Sequence, residues 1–193
     1  MRQDFTHVSE EKISELFPVL LEPHNSSWKD YYLIERDILQ SIFGDMLVRI
    51  NHIGSTSVYG LIAKPTIDIL LEVSPNIDIP SITEKMRDRG YIVNTPPKDI
   101  IMYIKGYTPN GFEGQCVHIH VRYHDDWDEL YFRDYLIAHP EVANEYGELK
   151  IKLKEHYEYD RDAYTDAKGD FVRKYSERAR EEFPNRYSPK PFL

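Results

Sequence analysis

Two neighbouring stretches decide the fold: residues 52–58 read HIGSTSV, and residues 63–73 read AKPTIDILLEV. Residues 66–73 are rich in apolar and β-branched side chains, which predicts a strand, and residues 47–52 predict another strand before it. The Gly-Ser-Thr turn between the two strands places hydroxyl groups and a lysine ahead of an acidic strand. That order suits a phosphate-handling site that uses a metal ion, although a plain buried strand after a tight turn explains most of the same residues.

The acids of the second predicted strand share one face. Side chains alternate along a strand, so Asp68, Leu70 and Glu72 point one way and the intervening aliphatic residues point the other way. Same-face neighbours are about 6.6 Å apart, which separates Asp68 from Glu72 by about 13 Å, too far for one metal ion to bridge. We therefore expect Asp68 to be the metal-binding acid and Glu72 to mark the solvated end of the strand.

The turn supplies candidate phosphate ligands. Gly54 permits a close backbone approach, the hydroxyls of Ser55 and Thr56 can bond phosphate oxygens, and Lys64 can neutralise their charge. Gly and Ser are also common in ordinary turns, so the structural explanation stays open.

Further along the chain, His118 and His120 alternate as strand residues do and are predicted to share a face. Two imidazoles at that spacing can bind a transition metal, orient a phosphate, or fill hydrogen-bonded core positions. Arg133 and Lys168 can reach an anion, but surface salt bridges explain them too.

The remaining pattern mixes helices and strands before residue 126 and is mainly helical after it. An amphipathic helix is predicted over 28–43 with Gly44 at its end, and a short helix from Ser81 to Gly90. Strands are predicted at 91–93, 100–105 and 117–122, and helices at 130–138, 142–156 and 165–182, with a break near Pro140. We expect residues 184–193 to be irregular. The sequence predicts an α+β fold, one domain over residues 1–193 with a helical C-terminal subdomain at about 126–182.

Composition narrows the classes of function. The chain has 193 residues, 41% of them hydrophobic, and a net charge of −9. That charge argues against general nucleic-acid binding, which depends on cationic side chains, but it permits a small anionic ligand in a local pocket. No apolar run approaches the roughly 20 residues that span a bilayer, and no secretory signal is recognisable, so we expect no membrane partner and a cytoplasmic location. The single cysteine, Cys116, is expected to pack as a small apolar residue.

Several linked motifs carry a resemblance to a known family. In chain order they are HIGSTSV at 52–58, AKP at 63–65, IDIL at 67–70, HIHV at 118–121, FRDYL at 132–136, HPEVA at 139–143 and YTDAK at 164–168. Together they resemble the GrpB family over residues 28–179. That family looks like a branch of the nucleotidyltransferase superfamily, whose fold is a mixed sheet flanked by helices.

The resemblance implies roles for some of these residues. Gly54 and Ser55 match the superfamily's phosphate-binding turn, and Asp68 matches its first metal-binding acid. The chain departs from the pattern at Leu70, where a second acid is typical, and at His118 or His120, which stands where a later strand carries an acid.

Two functions therefore stay open at the level of the sequence, together with a purely structural or partner-binding role. The first is metal-dependent nucleotidyl transfer, with Asp68 as the catalytic acid and with Mg²⁺ or Mn²⁺ as the ion, or Zn²⁺ through His118 and His120. The second is a non-catalytic module that binds a nucleotide or another small phosphorylated ligand. The sequence does not indicate an oligomeric state.

Overall fold

The computed structural model describes residues 9–94 and 99–189. Within these residues the chain forms five strands: β1 Leu47–Ile53, β2 Thr66–Val73, β3 Ile92–Val93, β4 Ile101–Thr108 and β5 Gly111–Tyr123. It also forms seven α-helices: α1 Glu10–Leu16, α2 Ser27–Phe43, α3 Ile79–Arg87, α4 Asp128–Ala138, α5 Pro140–Tyr157, α6 Arg161–Asp166 and α7 Gly169–Glu182. Short 3₁₀ turns occupy Gly44–Met46 and Ser55–Ser57.

The strands form one mixed sheet in the order β1-β2-β5-β4-β3. β2 runs parallel to β5, and β4 pairs antiparallel with both β5 and β3. The predicted α+β fold is confirmed, and so is the helical character of the chain after residue 126. The two strands predicted at 47–52 and 66–73 are β1 and β2, and they are neighbours in the sheet. Residues 184–189 contain no helix or strand, as predicted, and residues 190–193 lie outside the described part.

The chain divides into two compact units. Among the described residues, the first contains 26–52 and 66–124, and the second contains 9–25, 53–65 and 125–189. In the first unit α2 contacts β2 and α3. In the second, α4 packs against α5 and α7 around buried side chains: Val58, Leu61, Tyr131, Tyr135, Leu136, Val142, Ala143, Tyr146, Tyr175 and Ala179.

The centre of the sheet is buried on both faces of β2. The aliphatic set predicted for one face, Ile67, Ile69, Leu71 and Val73, is fully buried, and so is Leu70 on the other face. The expectation that Glu72 lies in solvent is wrong, because its side chain is 0% exposed. Its carboxylate accepts hydrogen bonds from Arg49 and contacts the His124 ring, and these cationic or polar partners compensate its burial.

Several helix boundaries in the structure differ from those predicted from the sequence. α3 begins at Ile79, because the Asp78 carboxylate caps it by accepting from the Ser81 amide at 3.4 Å. The helix predicted over 165–182 is two helices, α6 and α7, and the second starts at Gly169, a residue of low helix propensity.

The hairpin of β4 and β5 is longer than predicted because its glycines lie inside the strands. Gly106 sits at a register shift with φ +88°, and a Cβ atom there would meet the Cys116 Cα atom at 2.8 Å. The position therefore requires glycine without ending the strand. Within the described residues, no helix is long and apolar enough to cross a membrane.

Candidate metal and phosphate sites

The sheet brings Asp68, His118 and His120 together. The parallel register pairs Asp68 with His118 and Leu70 with His120, so side chains of one face lie side by side on β2 and β5. One ligand atom from each of the three residues lies within 4.8 Å of the others. The side chains are 29%, 18% and 20% exposed, respectively, so each is held by its surroundings and still reaches solvent.

His118 has a partner on each ring nitrogen. Its Nδ1 atom lies 3.2 Å from Oδ1 of Asp68, and its Nε2 atom lies 2.7 Å from the Tyr107 hydroxyl. The rings of Tyr107 and His118 are also stacked, with centroids 5.6 Å apart. These contacts define the orientation of the imidazole.

His120 is held by a buried carboxylate. Its Nδ1 atom lies 2.9 Å from Oδ2 of Asp99, and Arg122 Nε donates to Oδ1 of the same carboxylate at 2.6 Å. Burial raises the pKa of Asp99, but hydrogen bonds and charge from His120 and Arg122 outweigh burial, so the pKa lies below its ordinary value. Asp99 is therefore an anion, and its carboxylate accepts a hydrogen bond from the imidazole N–H of His120.

This donor set fits a divalent cation. A carboxylate oxygen and two imidazole nitrogens are common ligands of transition metals, and Zn²⁺ sites built from two histidines and one carboxylate are well known. The sequence indicated all three of these residues. It did not indicate Tyr107 or Asp99, because Tyr107 lies beyond the register shift after Lys105 and Asp99 precedes β4, so strand alternation alone does not align them with the two histidines.

In the second unit, the Gly-Ser-Thr turn has a defined geometry. Gly54 adopts φ +68°, a left-handed conformation that favours glycine, and the Ser57 amide and hydroxyl donate to its carbonyl. Thr56 is buried and Ser55 is half-buried. Ser55 is thus the better placed of these two hydroxyls to meet a ligand.

A lysine that the sequence analysis missed contacts this turn. Lys150, on α5, is 2% exposed, and its ammonium donates to Ser55 Oγ at 3.0 Å and to the carbonyl of Ile62. Burial, followed by the charges of Lys168 and Lys64, lowers the pKa of Lys150 to about 7 from an ordinary value of 10.5. The sequence does not indicate the contact between Lys150 and Ser55, because Lys150 lies in the run KIKLK, which is typical of a solvated helix face.

Lys64 and Lys168 both approach the ring of Tyr164. Their ammonium groups lie 5.5 Å and 4.3 Å from its centroid. With Lys150 they form what we call the lysine cluster, Lys64, Lys150 and Lys168, in which like charges repel. Arg133 has a different setting, because it forms an ion pair with Asp134 at 2.8 Å and donates to the Tyr187 hydroxyl at 2.9 Å.

Comparison with known proteins now assigns the family. Residues 18–178 match the family model described as GrpB protein. The chain belongs to the GrpB family. It is 34% identical over 161 residues to the glutamate-rich protein GrpB of Alkalihalophilus pseudofirmus, a match that covers 80% of this chain and 91% of that protein.

Solved structures agree with this assignment. The crystal structure of the conserved protein GrpB from Enterococcus faecalis is similar with a TM-score of 0.75 and 26% identity, covering 85% of this chain and 99% of that chain. A chain of the GLD-2/RNP-8 complex is similar with a TM-score of 0.56 and 13% identity, covering 88% of this chain and 60% of that one. The second likeness concerns the fold alone. The GrpB chain thus has a nucleotidyltransferase-like fold.

Proposed function

We propose that this GrpB protein is a metal-dependent enzyme of the nucleotidyltransferase type, which binds a divalent cation through Asp68, His118 and His120. The observation that carries the proposal is the convergence of these three side chains on neighbouring parallel strands of a nucleotidyltransferase-like sheet. A cation held there would neutralise phosphate charge and act as a Lewis acid on a phosphoryl oxygen.

The donor types favour a particular class of ion. Imidazole nitrogens suit Zn²⁺ and related transition metals, whereas Mg²⁺ prefers carboxylate, carbonyl and water oxygens. With two imidazoles and one carboxylate, the site is expected to prefer Zn²⁺ to Mg²⁺ or Mn²⁺.

The lysine cluster and the Ser55 hydroxyl all lie in the second unit and are separately proposed to bind phosphate. Burial lowers the pKa of Lys150 most, and repulsion from Lys168 and Lys64 lowers it further. A bound phosphate would offset that repulsion, so phosphate binding and protonation of Lys150 support each other. Gly54 keeps the turn in the conformation that presents Ser55. Arg133 is left out of this group because its guanidinium donates to Asp134 and to the Tyr187 hydroxyl.

One observation favours a second function, in which the protein binds a nucleotide or another phosphorylated metabolite without transferring a group. Two-metal phosphoryl transfer uses several carboxylates to hold its cations. Here the position two residues after Asp68 is Leu70, which is fully buried against the sheet, so Asp68 is the only carboxylate of the cluster.

A calorimetric and chemical screen separates these functions. The four ribonucleoside triphosphates are titrated into the protein with Mg²⁺, Mn²⁺ or Zn²⁺, and pyrophosphate release is then measured. Metal-dependent binding with release of pyrophosphate supports the enzyme, and binding without release supports the binding module. Triphosphate binding that is the same with and without every ion would contradict the metal-dependent proposal.

A further inference from the structure

We propose that two residues behind the candidate metal ligands control the protonation of the imidazoles. Asp99 fixes one tautomer of His120, and Tyr107 lets His118 change its tautomer when the ion binds. The proposal rests on the proposed function, because it concerns the same three ligands. It assigns ligand atoms as Nε2 of His120 and Nδ1 of His118, together with the Asp68 carboxylate.

The argument for His120 starts from Asp99. A carboxylate anion has no proton to donate, so its contact with Nδ1 at 2.9 Å requires the proton to lie on Nδ1. Nε2 is then the nitrogen with a lone pair available to a cation. Arg122 fixes the carboxylate from its other oxygen, and the side chains of Asp99 and Arg122 are 0% and 6% exposed. A buried carboxylate behind a metal-binding histidine orients the ring and raises its basicity.

The argument for His118 starts from the chemistry of its two partners. A carboxylate only accepts, so the neutral ring suits both partners when Nδ1 carries the proton and faces Asp68 at 3.2 Å, while the Tyr107 hydroxyl donates to Nε2 at 2.7 Å. Nδ1 faces the carboxylate of Asp68, itself a candidate ligand, so Nδ1 is the nitrogen assigned to the cation. To bind, it must lose its proton, and the ring stays neutral if Nε2 gains one.

Tyr107 is suited to that exchange, because a hydroxyl can donate or accept whereas a carboxylate anion only accepts. When the proton on Nδ1 leaves to water and another arrives from water at Nε2, the hydroxyl turns from donor to acceptor. The hydrogen bond at 2.7 Å survives in both states, and no net proton is gained or lost by the pair. His120 keeps its Nδ1 proton throughout.

The chain offers a matched control for Asp99. Glu72 is also a fully buried carboxylate, and Arg49 and His124 are among its partners. It lies outside the group of three candidate ligands. Asp99→Asn and Glu72→Gln each remove the charge of a buried carboxylate, and Asp99→Asn also changes the 2.9 Å contact with the candidate ligand His120.

The first experiment needs no variant. Long-range ¹H–¹⁵N correlation spectra of the full-length protein, with and without Zn²⁺, report which ring nitrogen carries the proton. We expect His120 to be protonated at Nδ1 without the ion and to stay so, while His118 moves its proton from Nδ1 to Nε2. A His120 ring protonated at Nε2 in the metal-free protein, or a His118 ring that keeps its Nδ1 proton with Zn²⁺ bound, overturns the assignment.

The second experiment measures Zn²⁺ affinity by competition with a chromophoric chelator, for proteins whose circular dichroism matches the wild type. Asp99→Asn and Tyr107→Phe are each expected to weaken Zn²⁺ binding, Asp99→Asn by about 10- to 100-fold, while Glu72→Gln stays within about threefold. Wild-type protein that binds no Zn²⁺ would overturn the proposed metal site itself. If the wild type binds Zn²⁺ and Asp99→Asn binds it equally well, the proposed role of Asp99 is wrong while the metal site itself stands.

Discussion

The ammonium group of Lys150 lies 3.0 Å from the hydroxyl oxygen of Ser55, although the two residues are 95 positions apart in the chain. Helix α5 thereby brings a buried cation to the turn that the sequence marks as a phosphate-binding candidate. A buried ammonium near two other lysines is costly unless an anion balances it. The contact between Lys150 and Ser55 therefore allows phosphate binding by the second unit to be tested independently of the metal ligands.

Replacing Lys150 should weaken phosphate binding. Lys150→Met keeps much of the apolar stem and removes the charge, and hydrogen bonds to charged groups contribute about 1.5 to 3 kcal/mol. We expect affinity for inorganic tripolyphosphate, measured by calorimetry with a metal chelator present, to fall roughly 10- to 100-fold. Lys152→Met, on the exposed face of the same helix, is the control and should change little. Equal losses in both variants would mean that overall charge, not the Ser55 turn, attracts the anion.

The stability of the protein should rise with pH above neutrality because of the same lysine. In the unfolded chain Lys150 keeps its proton up to about pH 10.5, whereas in the fold its pKa is about 7. Between these values the unfolded state binds more protons, so the free energy of unfolding increases with pH, by at most about 1.4 kcal/mol per unit for one proton. Below pH 7 the proton is bound in both states and this slope disappears.

Urea unfolding at pH 7.0, 8.0 and 9.0 checks this dependence, since the difference between wild type and Lys150→Met isolates the contribution of one residue. The wild type should gain more stability than the variant over this range. Parallel curves would show that Lys150 keeps its proton in the folded protein.

Substitutions at Asp68 and Glu72 should have different effects, the first on metal binding and the second on the stability of the fold. Asp68→Asn removes the carboxylate of the candidate metal site, so Zn²⁺ affinity should fall by at least tenfold while the fold persists, since the side chain is partly exposed. Glu72→Ala should leave Zn²⁺ affinity nearly unchanged but lower the free energy of unfolding by about 3 kcal/mol, because it removes the buried carboxylate that accepts from Arg49. Chelator competition and urea unfolding measure the two quantities. A Zn²⁺ affinity that survives Asp68→Asn would remove Asp68 from the site.

Replacing Arg133 should lower the stability of the fold and leave phosphate binding nearly unchanged. Arg133→Ala breaks the contacts with Asp134 and Tyr187, and we expect a loss of about 1.5 to 3 kcal/mol in the free energy of unfolding. The affinity for tripolyphosphate should stay within about twofold of the wild type in calorimetry. A loss as large as that of Lys150→Met would return Arg133 to the candidate phosphate ligands.

The local pattern of apolar and polar residues was sufficient to predict much of the fold. Alternation in residues 66–73 predicted β2 and the face shared by Asp68 and Leu70, because side-chain direction along a strand depends only on position. The same reasoning put His118 and His120 on one face. Element boundaries were less well predicted where glycine has a special backbone role, as at Gly106 inside the β4–β5 hairpin.

The sequence by itself therefore determined the kind of fold and three of the candidate metal ligands. Only the tertiary structure decided their surroundings: that Asp99 and Tyr107 hold the two imidazoles, that Lys150 meets Ser55, and that Glu72 is buried. The physical reason is that periodicity specifies the direction of a side chain within its own strand or helix. The partner that it meets depends on strand order, register and helix packing, which join residues far apart in the chain.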